Sequence, residues 1–212
     1  MSLLFEFGSQ AQPIGNFDES AWLSLKPNWK QIRTVNSIEV KFAGQACGEV
    51  DALWTRQTGL PIAVTTADCV PILLYRKDET AIAVIHAGWE GTLQRIVPKF
   101  FASLPDEVAD PTTWVAMLGP SIRACCYEFG EDLILKFYNE FSDLSPALIS
   151  PSERRLDLIA ILNHELTKLS VELESLDPRC THCTVTDSGK RVFLSYRRGD
   201  RLSRQYSIIM KK

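Results

Sequence analysis

Cys69 and His86 are the residues of this sequence whose types and spacing suit chemistry best. Cys69 closes the stretch Thr66-Ala67-Asp68-Cys69 and leads into the apolar run Val70 to Tyr75. His86 closes a second apolar run, Ala81 to Ile85, after the polar turn Arg76-Lys77-Asp78-Glu79. Two short β-like runs joined by a four-residue turn predict an antiparallel hairpin, which brings the sulfur and the imidazole together at one sheet edge. Such a pair serves either as two ligands for a borderline metal or as a nucleophile with its base. A cysteine or histidine alone at a strand end is ordinarily a small buried hydrophobe or a hydrogen-bonded ring. It is their joint placement that points to a site, helped by Gly88 and Gly91, which allow close backbone approach or a sharp turn after His86.

The surrounding elements must hold that hairpin. Strands are predicted over Leu3–Phe7, Ser37–Phe42, Pro61–Thr65 and Thr113–Leu118, with a small-residue loop over Ala43–Val50. After Gly91 the residues Leu93, Ile96, Val97, Phe100, Phe101 and Leu104 recur at helical spacing, with Pro98 expected to kink or delay the helix. A second helix is expected from Gly130, with Leu133, Ile134, Phe137, Tyr138 and Phe141 on one face and Glu131 and Asp132 in its first turn. A third is expected from about Ser152 to Glu174, with His164 on its surface. The chain is expected to close on strands Arg191–Tyr196 and Gln205–Met210 around the arginine-rich turn 197–204, which reads as a solvated hairpin tip or as an anion grip. Irregular alternation of strands and helices, with hairpins, indicates an α+β fold with a mixed sheet.

At 212 residues, 45% hydrophobic and 23% charged, the chain is sized for one well-filled core, and residues 1–212 read as one domain. A net charge of −3 gives no electrostatic footprint for nucleic acid. No segment is apolar enough to span a bilayer, and no secretory signal is seen at Met1 to Glu6. Six cysteines, Cys47, Cys69, Cys125, Cys126, Cys180 and Cys183, are too scattered for a disulfide scaffold and point to a reducing cytoplasmic setting. Cys180-Thr181-His182-Cys183 has the form of half a zinc ribbon, but no second pair lies at ribbon distance, so it reads as structural without metal.

Several motifs together carry a resemblance: Thr66-Ala67-Asp68-Cys69-Val70-Pro71, His86-Ala87-Gly88-Trp89 with Gly91, Leu118-Gly119-Pro120-Ser121-Ile122, Cys126-Tyr127-Glu128 with Gly130, and Phe193-Leu194-Ser195-Tyr196-Arg197-Arg198. In this order they resemble the YfiH family, the laccase-domain or polyphenol-oxidase-like proteins that include the peptidoglycan editing factor PgeF. The resemblance runs from about Trp29 to the C-terminus and implies a layered α/β/β/α sandwich. It also implies one zinc held by His, Cys and His, and action on purine nucleosides by phosphorolysis or deamination in the cytoplasm. Carried over by position, Cys69 and His86 are two catalytic metal ligands, and Asn36 stands where the third, a histidine, belongs. An amide oxygen is a weak zinc ligand, so the resemblance implies weakened or lost metal binding and activity. Glu90 stands where an arginine is common, and Phe7-Gly8-Ser9-Gln10 stands for a longer Ser-Thr-Arg-x-Gly-Gly region, making the N-terminal part abbreviated. Asp68, Trp89, Gly119 and Cys126 are the implied substrate-binding residues, and Arg197 and Arg198 the implied phosphate grip.

Three histidines, His86, His164 and His182, cannot supply the many imidazoles of a multicopper oxidase, so copper is not the expected metal. Two other readings stay open. One is a metal-free cysteine hydrolase, with Cys69 as nucleophile, His86 as base and backbone amides near Gly119 as oxyanion site, suited to editing a peptidoglycan precursor. The other is a member of the family that binds a nucleoside or protein partner without turnover.

Overall fold

The computed structural model describes residues 3–9, 30–31, 40–42 and 50–212, with β2 and β3 described in their backbone alone. Asn36, Cys47 and most of the predicted stretch 37–50 lie outside the described residues. In chain order the strands and helices are β1 (Leu3–Phe7), β2 (Lys30–Gln31), β3 (Val40–Phe42), β4 (Ala52–Thr55), β5 (Ile62–Thr66), β6 (Val70–Arg76) and β7 (Ile82–Ala87). There follow α1 (Trp89–Leu93), α2 (Ile96–Ala102), α3 (Asp106–Ala109), β8 (Trp114–Leu118), α4 (Glu131–Glu140), α5 (Pro146–Ile149), α6 (Leu158–Lys168), β9 (Glu172–Leu176) and β10 (Gln205–Lys211).

They form two mixed sheets, one of four strands in the order β1-β10-β5-β2 and one of six in the order β3-β4-β7-β6-β8-β9. The predicted hairpin is the centre of the larger sheet, with β6 and β7 antiparallel and Val70 opposite Ala87, Pro71 opposite His86. The side-chain alternation of a pleated strand sorts the central residues into two cores. Ile72, Leu74, Ala83, Ile85, Ala116 and Leu118 join a cluster with the helical residues Phe100, Phe137, Ile161 and Leu166. Leu53, Leu73, Val84 and Met117 point the other way and meet Ile62, Val64 and Ile209 of the smaller sheet. Among the described residues the layers are therefore helix, sheet and sheet, in keeping with the expected layered α+β sandwich of mixed sheets.

Three expectations need correction. The helix after Gly91 is two helices, because Arg95 takes a left-handed φ of 62° between α1 and α2. Pro98 sits in the first turn of α2, where its missing N–H breaks no intrahelical bond. The helix expected over 152–174 occupies Leu158–Lys168, capped by the Asp157 carboxylate accepting from the Ala160 amide at 3.1 Å. It stops before Ser170, at φ 57°, and the chain turns into β9, which pairs parallel with β8. The strand expected over Arg191–Tyr196 is absent. Its backbone keeps one isolated bridge, Val185 to Arg191, and a 3-10 turn over Tyr196–Arg198, so β10 pairs with β1 and β5 rather than closing a hairpin. Here the Ser195 amide donates to the Asp200 carboxylate and the Leu194 amide to the Gln205 side chain, replacing ladder partners with side chains.

On α6, His164 holds the Asp143 carboxylate at 2.9 Å, whereas Glu165 is turned into the core with both carboxylate oxygens buried and lacking hydrogen bonds. Burial raises its pKa from the ordinary 4.5 to about 7, against the opposing pull of Arg95, whose Nη1 lies 3.5 Å away. Because the folded pKa is raised, the stability tied to this proton is complete below about pH 4.5 and is lost as pH rises through 7. Glu165→Gln is therefore expected to raise stability at pH 8 by up to about 3 kcal/mol and to flatten the pH dependence between 4.5 and 7. Urea melts of both proteins across that range check it. No described helix is long and apolar enough to cross a membrane.

Candidate active site

Antiparallel pairing places Cys69, just before β6, beside His86, near the end of β7. Gly88 is what lets them meet. A Cβ at that position would lie 3.2 Å from the Cys69 sulfur and 3.4 Å from His86 Cε1, so any larger residue would wedge between the chain and both groups. His86 is buried, and its Nδ1 lies 3.1 Å from the carboxylate of Asp51, itself 1% exposed. The His86 amide also donates to the Asp51 carbonyl at 2.8 Å, so the same residue fixes strand and ring. Burial pulls the imidazole pKa down, but the Cys69 sulfur and the Asp51 carboxylate push it up more strongly, from 6.5 to about 9. Asp51 thus anchors the ring through Nδ1 and turns Nε2 toward whatever occupies the site; at neutral pH without a metal the raised pKa keeps both ring nitrogens protonated.

Nothing in the sequence marks Asp51. It precedes the apolar run of β4, and only the pairing of β4 with β7 carries it to His86, 35 residues away.

A cavity of about 450 Å³ opens in front of this pair. It is lined by Cys69 and His86, by the β5 end from Thr65 to Asp68, by Gly88 and Trp89, and by Tyr127, Tyr196, Arg197 and Arg204. Arg197 lies over two aromatic faces, with its Cζ 4.6 Å from the Phe129 centroid and 5.1 Å from that of Tyr127, and it donates to the Glu128 carbonyl at 2.7 Å. Trp89 leans on the same Phe129 at 6.1 Å. The wall is one aromatic and cationic assembly.

Asp68 lines this cavity and is also the wall's anchor. It is buried at φ 96°, its Oδ1 accepts the Thr181 hydroxyl at 2.7 Å, and its Oδ2 accepts the Arg197 amide at 2.7 Å. One carboxylate therefore ties the loop after β9 and the arginine turn to the start of β6.

Other expected site residues are placed elsewhere. Gly119 packs against β1, where an added Cβ would stand 2.4 Å from the Phe7 ring and 2.8 Å from Pro71. Arg198 is spent on the chain itself, donating to the carbonyls of Thr181, His182 and Phe193 and to the Asp200 carboxylate. The Cys126 sulfur lies 3.6 Å from that of Cys125, away from the cavity lining. In its place the adjacent Tyr127 faces the cavity, with Tyr196 and with Arg204 of the arginine turn, residues that lie within the motifs and the turn but are not among the expected substrate-binding residues.

The family model for multi-copper polyphenol oxidoreductase laccase matches residues 18–212. The chain belongs to this laccase-domain, or YfiH, family. It is 34% identical over 166 residues to a purine nucleoside phosphorylase of Clostridium acetobutylicum, covering 77% of this chain and 68% of the relative. It is 32% identical over 169 residues to adenosine deaminase RL5 from an unknown prokaryotic organism, covering 77% of this chain and 63% of that one. The crystal structure of a Neisseria meningitidis protein superposes with a TM-score of 0.77 at 26% identity, over 92% of this chain and 79% of the other. The matched stretch thus spans about two thirds of the length of these curated relatives, and the α+β architecture of two mixed sheets matches that of the solved Neisseria meningitidis relative.

Zinc is the metal implied by the resemblance, and the donors present suit it in part. A cysteine sulfur and an imidazole whose far nitrogen is tied to a carboxylate are the arrangement of zinc ligands with an outer-sphere partner. They are two of the three protein ligands such a site uses, and the third position, Asn36, lies outside the described residues.

Proposed function

We propose that this chain binds purine nucleosides in the cavity in front of Cys69 and His86 and cleaves or deaminates them in the cytoplasm, with phosphate or water as the second reactant. The observation that carries the reading is the composition of that cavity: a sulfur and an oriented imidazole at one end, and aromatic faces with the guanidinium groups of Arg197 and Arg204 around it. The size, about 450 Å³, is in the range of small-molecule sites. The curated relatives named for purine nucleosides support the substrate class.

Within the cavity, Trp89 and Tyr127 offer ring faces for a purine, and Arg197 and Arg204, each with Nη1 engaged by main-chain carbonyls, offer their remaining N–H groups and positive charge for phosphate. Asp51 keeps the His86 ring in one tautomer and orientation, so Nε2 is presented to the reacting end without reorganisation. Zinc, held by Cys69 and His86, would supply the positive charge that lowers the pKa of water or draws phosphate in. With Asn36 as the third donor its affinity is reduced, and activity with it.

The test is phosphate-dependent release of base from inosine and adenosine by the purified chain, with zinc measured on the same sample and Asn36→His run beside it. More zinc and faster cleavage in Asn36→His support the reading. Absence of cleavage and deamination in both proteins, with zinc supplied, overturns it.

The Cys69, His86 and Asp51 series also has the order of a thiol nucleophile, its base and the group that orients the base, which favours the cysteine hydrolase as second reading. Chelator resistance with loss of activity on thiol alkylation would distinguish it. Asp51→Asn is expected to reduce zinc affinity or turnover about 10–100-fold with the fold retained, because the ring loses its charged partner and keeps a hydrogen-bonding one. Competition with a chromogenic chelator, alongside steady-state rates, checks this.

A further inference from the structure

The four cysteines Cys125, Cys126, Cys180 and Cys183 are brought together by the fold, with ligand atoms all within 4.8 Å of one another. The sequence offers Cys180 and Cys183 as half a ribbon with no partner pair at ribbon distance. The partner pair is the adjacent Cys125-Cys126, carried there because the turn after β8 packs on the loop after β9 through the Ser121–Cys180 bridge and the Thr181 amide donating to the Ser121 carbonyl at 3.0 Å.

We propose that these four sulfurs bind one zinc ion in a structural tetrathiolate site, separate in its ligands from the Cys69–His86 cavity. A tetrahedral ion with zinc–sulfur bonds of about 2.3 Å places its sulfurs about 3.8 Å apart. The Cys125–Cys126 and Cys125–Cys183 sulfur distances are 3.6 and 3.8 Å. Both are well beyond the roughly 2.05 Å of a disulfide bond, and all five described cysteines are free.

The surroundings suit an anionic site. Backbone amides of Arg123 (3.4 Å), Cys183 and His182 donate to the Cys180 sulfur. Four thiolates on one divalent ion leave a charge of −2. Arg191, on the His182 and Cys183 carbonyls, and Arg198, on the Thr181 and His182 carbonyls, place two guanidinium groups on that loop. An ion between the four sulfurs would convert the cluster into a cross-link of two loops.

The cross-link matters to the cavity. Tyr127 follows Cys126 directly, and Thr181, between the other two cysteines, holds Asp68. Zinc here would fix the wall that carries Tyr127 and Arg197 without touching substrate.

The experiment measures zinc by mass spectrometry on the full chain purified under reducing conditions without chelator. It uses the wild type, the double variant Cys69→Ser/His86→Ala, and that double variant with Cys183→Ser or Cys125→Ser added. The double variant is expected to keep about one zinc per chain, and each added serine to remove it. Cobalt loaded into the double variant is expected to give tetrahedral visible bands with sulfur-to-cobalt charge transfer, and chelation to lower its melting temperature, readouts that do not depend on the serine variants folding. A double variant that carries no zinc, takes up no cobalt and melts at the same temperature with and without chelator overturns the proposal. So does a Cys125–Cys183 disulfide trapped by alkylation of the native protein. Neither result touches the reading of the cavity, whose donors are absent from the double variant.

Discussion

Cys69→Ala is expected to lower nucleoside turnover by roughly 10²–10⁴-fold, the range associated with loss of a positioned catalytic group or the ion it holds. His86→Ala is expected to do the same, and the double variant to be scarcely worse than either, because in the proposed reaction the sulfur and the ring serve one centre and their losses do not add. Steady-state rates of the three variants check this. Equal effects identify a unit, whereas independent multiplying effects would separate the two residues. Cys69→Ala is the cleaner of the two, since Cys69 is only partly buried, whereas removing the imidazole leaves the Asp51 carboxylate buried without its side-chain partner.

The second large effect is at Asp68. Its two oxygens accept the Thr181 hydroxyl and the Arg197 amide, each at 2.7 Å, from segments 113 and 129 residues away. Asp68→Ala removes two hydrogen bonds to a carboxylate and leaves the buried Thr181 hydroxyl without that acceptor, an expected cost of about 3–5 kcal/mol. It also keeps a side chain at φ 96°, where Asp68→Gly would relieve the backbone but not restore the bonds. Chemical denaturation gives the stability change. Turnover under conditions where the variant remains folded is expected to fall about 10-fold or more, because Arg197 is released from its place at the cavity.

The Cys69–His86 pair and the Asp68 anchor are two parts of one site, of which the sequence shows only the first. The hairpin is legible because everything that determines it is local: two apolar runs, a polar turn, and the chemistry-bearing residues at the two ends. The helix over Glu131–Glu140 is legible for the same reason, its apolar face and acidic first turn being a property of one segment. Local pattern misled where a segment had an equally good alternative partner. Residues 170–176 continue a helical spacing, yet β8 offers them an open parallel edge and Ser170 turns them onto it. Residues 191–196 look like a strand, but β10 finds its partners in β1 and β5, both far earlier in the sequence.

By itself the sequence determined the family, the central hairpin and the meeting of Cys69 with His86, because short-range periodicity and ordered motifs are written in contiguous residues. Tertiary structure alone decided that Asp51 orients His86, that Asp68 anchors two distant loops, that Tyr127, Tyr196 and Arg204 line the cavity, and that Cys125 and Cys126 complete the cysteine pair at 180 and 183. Each of these depends on sheet order and loop packing between segments roughly 35 to 130 residues apart, for which neighbouring residues carry no periodic signal.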